Sequence, residues 1–332
     1  MGGVGRSVCT VALLCLAGAG AILDAPRQAG AAVARIGWLS SGAAGPGDSD
    51  SNFDALKTGL GELGYVVDRD VRFEKRWASG EAGRLPGLAA ELVRLKVNLI
   101  CVAGTPAALA AKGATTEIPI VFANVAFPDE SGLVASYARP GANITGVAFV
   151  GPEYGKRLEL LKEAVPKLRR VALLYNAENR ASVLAVGETQ RWAKSLDVGI
   201  ETFSVREAGG VKGALDAAAR ARPDGLMTTA DVFILASRAP IVEFATKARI
   251  PSMIPDREYV EIGGLMFYGS SIADMYRHAA TYVDRILKGA KPAGMPVEQP
   301  RKFDMVINRA TAKALGLKLP QSLLLRADVL ID

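Results

Sequence analysis

The residues best placed for ligand chemistry in this chain are short polar groups that directly follow apolar runs. Gly104-Thr105-Pro106 is the sharpest of them. Thr is a favoured helix cap and Pro fits the first helical position, so a helix is predicted to start here with Thr105 as its cap. The backbone N–H groups and dipole of such a start can hold a carboxylate, though a plain cap uses the same residues. Ser40 and Ser41 add hydroxyl donors after an earlier run, or form a flexible loop. Asn124 with Phe127, Asn176, Asn179, Asp256 and Ser270 stand at equivalent positions further on. Asp231 precedes a helical segment, where it either caps the helix or meets a ligand ammonium. Trp77 and Tyr268 can sandwich a flat ligand, the alternative being core packing.

None of this assembles into a catalytic set. The single histidine, His278, falls inside a long helical segment, so neither a zinc site nor a Ser-His-Asp triad can be built around it. There is no GxxxxGK[ST] phosphate loop, so any ATPase must be another chain. A binding protein without cofactor or metal is expected, and not an enzyme.

These groups share a position because of the elements that carry them. Arg35–Ser40, Val71–Trp77, Asn98–Ala103, Pro119–Ala123 and Ile144–Phe149 read as strands separated by helical periodicity. A second series follows at Arg170–Tyr175, Ile200–Ser204, Gly225–Thr228, Pro251–Ile254 and Gly264–Tyr268. Two successive βα series predict an α/β chain with two doubly wound, Rossmann-like lobes, and a single barrel fits them poorly. In open parallel sheets ligands meet the carboxyl ends of the strands, which is where all the polar candidates fall. A long helix from Ile272 to Ile286, a proline-rich connector at Lys291–Pro300 and an alternating strand at Phe303–Ile307 predict a chain that crosses back to the first lobe and returns. The expected division is 35–148 plus 271–292 for the N-terminal lobe and 149–270 plus 293–332 for the C-terminal one.

Residues 1–34 read as a cleaved export signal: Arg6, an apolar run from Val8 to Leu23, then small-x-small sites at Ala29–Ala31 and Ala32–Ala34. Cys9 and Cys15 lie inside it and neither follows a small residue, so no lipid anchor is expected. Cys101 is then alone in the mature chain, which allows no internal disulfide. The net charge of +6 is spread along the chain without a basic block, which gives nucleic-acid binding no support.

Longer stretches resemble one family. Arg84–Ile100, Gly104–Lys112, Ile118–Val125, Ser131–Gly146, Gly155–Pro166, Glu258–Gly269, Ala280–Asn308 and Thr311–Asp328 are similar, in order, to ABC-transporter substrate-binding proteins that include tryptophan- and tyrosine-binding members. The resemblance implies a type I periplasmic-binding-protein fold with a multi-strand hinge and a ligand enclosed between the lobes. It also implies a periplasmic monomer that serves a transmembrane permease with a separate ATPase. A periplasmic sensor of the same fold is the alternative, and a cleft enzyme a more distant one. Three positions depart from the family pattern: Phe127-Pro128 replaces the usual Asp-Pro, Tyr268-Gly269-Ser270 the usual Tyr-Gly-Pro, and Asn176-Ala177 the usual Asn-Pro. If that Asp greets a ligand amine, the cargo need not be an amino acid, and an amino acid-like or aromatic carboxylate is expected.

Overall fold

The computed structural model describes residues 1–2, 33–46, 50–149 and 153–332. The expected leader, with Cys9 and Cys15, lies outside the described residues. The strands are β1 (Ala34–Ser40), β2 (Val71–Trp77), β3 (Leu99–Ala103), β4 (Ile120–Ala126), β5 (Ile144–Phe149), β6 (Arg170–Asn176), β7 (Gly199–Val205), β8 (Gly225–Thr228), β9 (Ser252–Ile254), β10 (Met266–Gly269), β11 (Asp304–Asn308) and β12 (Val329–Ile331). The helices are α1 (Ser51–Glu62), α2 (Leu85–Arg94), α3 (Thr105–Ala114), α4 (Glu153–Ala164), α5 (Arg180–Ser195), α6 (Val211–Ala221), α7 (Val232–Ala236), α8 (Arg238–Ala248), α9 (Arg257–Glu261), α10 (Ile272–Leu287), α11 (Arg309–Ala314) and α12 (Gln321–Arg326).

Two sheets result, in the orders β2-β1-β3-β4-β5 and β12-β11-β10-β9-β8-β6-β7. All pairs are parallel except β10 with β11. The central strands β3 and β4 and the edge strand β5 are buried almost throughout, because helices cover both faces. Alternate residues of one strand therefore enter different cores. Ile36, Trp38, Leu99, Cys101 and Val121 pack with Phe53, Leu56 and Leu60 of α1 and with Tyr276, Ala280 and Val283 of α10. Leu39, Ile100, Val102, Ile120 and Phe122 pack with Leu85, Ala89 and Leu92 of α2 and with Ala107 and Ala111 of α3. Burial pushes the Cys101 thiol well above its usual range, which leaves it an inert small hydrophobe.

The chain leaves the first sheet after β5 and builds the second as far as β10. It returns as α10, which packs along α1 and against β4 and β5, and crosses once more to β11. That excursion makes β11 run antiparallel to β10. The last crossing is tied to β5: Glu298 N–H donates to Gly146 O at 3.1 Å, and Ala148 N–H to Glu298 O at 2.8 Å. Three crossings form the hinge of two doubly wound lobes.

Candidate functional site

The carboxyl ends of the two sheets face each other across a cleft that encloses a cavity of about 610 Å³. From the first lobe it is lined by Ser40, Gly42 and Asn124 and by Asp50, Ser51 and Asn52 at the start of α1. The second lobe supplies Val232, Leu235, Arg238, Asp256, Glu258 and Phe267, while Ser270, Ser271, Ile272, Asp274, Lys302 and Asp304 come from the hinge crossings.

Local sequence explains this wall. Asp50 caps α1, accepting the Phe53 N–H at 2.8 Å on one carboxylate oxygen and the Trp77 indole N–H at 2.9 Å on the other. Asp256 caps α9 through the Glu258 N–H, and Ser271 caps α10 through the Asp274 N–H. At the end of β4 the pairing with β5 shifts register between Phe122 and Val125, and Asn124 takes φ 55°. Such a bulge re-aims a side chain, and the buried Asn124 Oδ1 has no hydrogen-bond partner among the described residues. A left-handed conformation at a non-glycine residue is a cost that ligand sites often carry.

The expected site residues divide into three groups. Ser40, Asn124, Asp256 and Ser270 line the large cavity. Gly104, Thr105 and Asn179 surround a gap of only about 10 Å³, to which Asn124 also contributes, enough for about one water molecule. Ser41, Trp77, Phe127, Asn176, Asp231 and Tyr268 line neither. Trp77 reaches the cavity only through its hydrogen bond to Asp50, and Lys75 lies over its ring. Tyr268 stacks on Phe303, and its strand neighbour Phe267 faces the cavity instead. Phe127 is buried and stacks on Tyr154. Asp231 accepts hydrogen bonds from Asn176 Nδ2 at 2.9 Å and Asn179 Nδ2 at 2.8 Å.

The start of α3 differs from expectation by one residue. Gly104 is the cap, at φ 93°, and Thr105 and Pro106 are its first two helical residues. Only glycine turns so readily there, so the threonine hydroxyl is not used as a cap. Val232 packs on this turn: a Cβ on Gly104 would lie 3.1 Å from Val232 Cγ2, and one on Gly42 would lie 2.8 Å from Val232 Cγ1. Next to Gly104 the Ser41 hydroxyl is buried without a partner among the described residues. The lobes are thus closed at this point. At the rim, Arg180 of α5 adds a clasp, donating to Glu130 O through Nε at 3.1 Å and Nη2 at 2.8 Å.

Sequence reasoning missed Asp50, Arg238, Phe267 and Lys302. A signal existed for Asp50, since Asp-Ser-Asn directly ahead of the stripe Phe53, Leu56, Leu60 is a helix-start pattern. For Lys302, which pairs with Asp304 at 3.0 Å, only the fold brings the connector to the cleft.

Two doubly wound lobes, three hinge crossings and an interlobe cavity define a type I periplasmic-binding-protein fold. Residues 46–331 match the family model for ABC transporter substrate binding proteins, and the chain belongs to that family. It is 26% identical over 259 residues to a tyrosine-binding protein of Clostridioides difficile strain R20291, covering 78% of this chain and 74% of that one. Among solved structures, an ABC domain from Streptococcus pneumoniae in complex with L-Trp is similar at a TM-score of 0.83 and 26% identity, covering 90% of this chain and all of that one. A ligand-free, open substrate-binding protein from Clostridium difficile shares the fold at a TM-score of 0.62 and 24% identity, covering 90% of this chain and 99% of that one.

Proposed function

We propose that this protein is the periplasmic solute receptor of an ABC importer. It captures a small carboxylate-bearing solute, amino acid-like or aromatic, in the interlobe cleft and hands it, as a monomer and without turnover, to a permease driven by a separate ATPase. The observation that carries the reading is the cavity of about 610 Å³ between the carboxyl ends of both sheets, with walls from both lobes and the hinge. That volume suits a single small molecule, and closure around it buries the ligand from both sides. Arg238 and Lys302 line the cavity as cationic donors, each already paired with a carboxylate, so a ligand carboxylate would share them with Asp256, Glu258 and Asp304. Val232, Leu235, Phe267 and Ile272 supply apolar surface for a side chain or ring. The start of α3, which no side chain caps, lies under Val232 and is open to a ligand only when the lobes part.

A thermal-shift screen of aromatic amino acids, aromatic acids, purine-like compounds and sugars tests this. A true cargo at 100 times its Kd adds about 2.7 kcal/mol of stability, a shift of a few degrees for a chain of this size. A response to neutral sugars alone, with every carboxylate silent, would sink the carboxylate reading. Uptake of the identified cargo should stop when the gene is deleted, while its metabolism inside the cell continues. Unchanged uptake would favour a periplasmic sensor instead.

The Arg180 clasp gives a second expected result. Losing its two bonds to Glu130 O removes a contact made only between closed lobes. Arg180→Ala should raise the cargo's Kd about 2- to 10-fold, the effect of an ordinary hydrogen bond. The melting temperature of the unliganded protein should hardly move. Calorimetric titration reads the first and thermal denaturation the second.

A further inference from the structure

We infer that Asp50 is the residue that reads the cargo's amine, with Asn124 Oδ1 as a second acceptor on the same wall and Trp77 as the residue that positions the Asp50 carboxylate. The inference rests on the cavity being the cargo site, as proposed above.

Charge in the lining points to it. The lining carries five acidic and three basic side chains. Most are neutralised locally: Arg238 holds Asp256 at 3.1 Å and Glu258 at 3.0 Å, and Lys302 holds Asp304. Arg257 pairs with Glu261 at 3.0 Å, and Asp274 lies 3.7 Å from Arg277. Asp50 is different. Its two partners, the Phe53 N–H and the Trp77 indole N–H, are neutral, and it forms an ion pair with none of the described residues. Lys75 lies nearby but over ring faces, 5.3 Å from the Phe53 centroid and 5.5 Å from that of Trp77. An ionised carboxylate has about four acceptor sites, so two neutral donors leave capacity for a cationic ligand.

Asn124 is the independent second observation. It lines the same cavity on the same lobe in a left-handed backbone conformation at a bulge, and its Oδ1, shut off from solvent, has no donor among the described residues. A primary ammonium brings three donors and no acceptor. A wall with one unneutralised carboxylate and, shut off from solvent, one amide oxygen that lacks a donor among the described residues is complementary to it. A hydroxyl supplies one donor and no charge, and a deaminated acid supplies neither. Trp77 lies one tier back: its N–H fixes one Asp50 oxygen while the α1 backbone fixes the other, so the carboxylate is set before the ligand arrives.

Replacement at Asp50 separates this from capping, because Asn and Ser are as good as Asp at a helix start. Calorimetric titration would compare L-tyrosine with 3-(4-hydroxyphenyl)propionate and L-tryptophan with indole-3-propionate. For Asp50→Asn and Asp50→Ser, the amino acids should bind about 10- to 100-fold more weakly, the usual effect of losing a charge-assisted hydrogen bond. The deaminated acids should bind as before or more tightly, and unliganded melting temperatures should stay near wild type. Trp77→Phe, which keeps the ring and removes only the N–H, should weaken the amino acids less and spare the deaminated acids. Equal losses for both compounds, or no loss for either, overturn the assignment while leaving the cleft reading intact. A wild-type protein that binds none of the four compounds overturns the aromatic-cargo reading and this assignment with it.

Discussion

Gly146→Ala should cost more than about 4 kcal/mol of stability or prevent folding altogether. Gly146 lies in β5 opposite Phe122 of β4, at φ 153°. A Cβ built there would sit 1.9 Å from the Phe122 carbonyl oxygen and 2.8 Å from its carbonyl carbon and amide nitrogen. The obstruction is backbone in a central strand, so no side-chain rotation relieves it. The strand would have to move, and with it the Glu298 crossing that donates to Gly146 O. Few single changes reach this size, and those that do combine strain with lost packing. Gly87→Ala is the control: it lies in α2, is exposed, and meets nothing within 4 Å. It should stabilise by up to about 1 kcal/mol through helix propensity. Urea unfolding followed by circular dichroism compares the two, and a Gly146→Ala protein within 1 kcal/mol of wild type would contradict the β4–β5 geometry.

Most of the architecture was legible because parallel strands announce themselves as short apolar runs. All ten predicted strands of the two series appear, and so does the alternating strand after the long helix. β12 was not anticipated: Val329–Ile331 is three residues long, and only its pairing with Val306–Asn308 makes it a strand. The phase of a strand was harder to read than its existence. Met266–Gly269 is apolar on both faces, so nothing local says whether Phe267 or Tyr268 looks into the cleft, and a shift of one residue exchanges them. The same limit explains Trp77, whose ring was offered either to the ligand or to the core. It serves the cavity through one N–H instead, because Asp50 arrives from a segment distant in sequence. The α3 start was misread by one residue for a different reason. Thr and Gly are about equally favoured as caps, and because the chain needs a positive φ before Thr105 it takes the cap at Gly104.

Phe127 shows how a departure from a family pattern can mislead. With Phe where the family resemblance implies Asp, the sequence pointed away from an amine-bearing cargo. In the fold, Phe127 stacks on Tyr154 at a ring distance of 6.1 Å and lines neither the large cavity nor the small gap beside it. Its surroundings are apolar: Ala126, Phe149, Ala181 and Ala185 belong to the same core. An aromatic ring there joins the lobes beneath the cleft, and burial pushes the neighbouring Tyr154 hydroxyl up to about 12. Position 127 therefore bears on how the lobes meet, and the amine question passes to Asp50.

The hinge carries the other large effect. Glu153→Gln should destabilise the protein by about 3–5 kcal/mol, the usual result of orphaning a buried charge. Glu153 and Arg157 open α4 and are almost wholly buried, with Arg157 Nη2 2.6 Å from Glu153 Oε2. Around the pair, the Ser270 hydroxyl donates to Glu153 Oε1 at 2.8 Å, and Arg157 Nε donates to Tyr268 O at 2.7 Å. The guanidinium also lies 5.2 Å from the ring centroids of both Phe149 and Tyr154. Phe149 ends the strand that leads into the first crossing, and Ser270 stands on the second, so one ion pair joins two of the three crossings. Arg157→Met should be about as harmful as Glu153→Gln, since it leaves the Glu153 charge buried with the Ser270 hydroxyl. The double variant should be less destabilised than the two single changes added together, because no unpaired charge remains, and a double-mutant cycle from urea unfolding measures that coupling. A buried pair can cost as much in desolvation as it returns in attraction, so a double variant close to wild type in stability would assign the pair to hinge geometry. In that case cargo affinity should still fall in the double variant, because Ser270 lines the cavity and exchanges its carboxylate acceptor for a weaker amide oxygen. Strict additivity of the two single effects would show that Glu153 and Arg157 do not act as a pair.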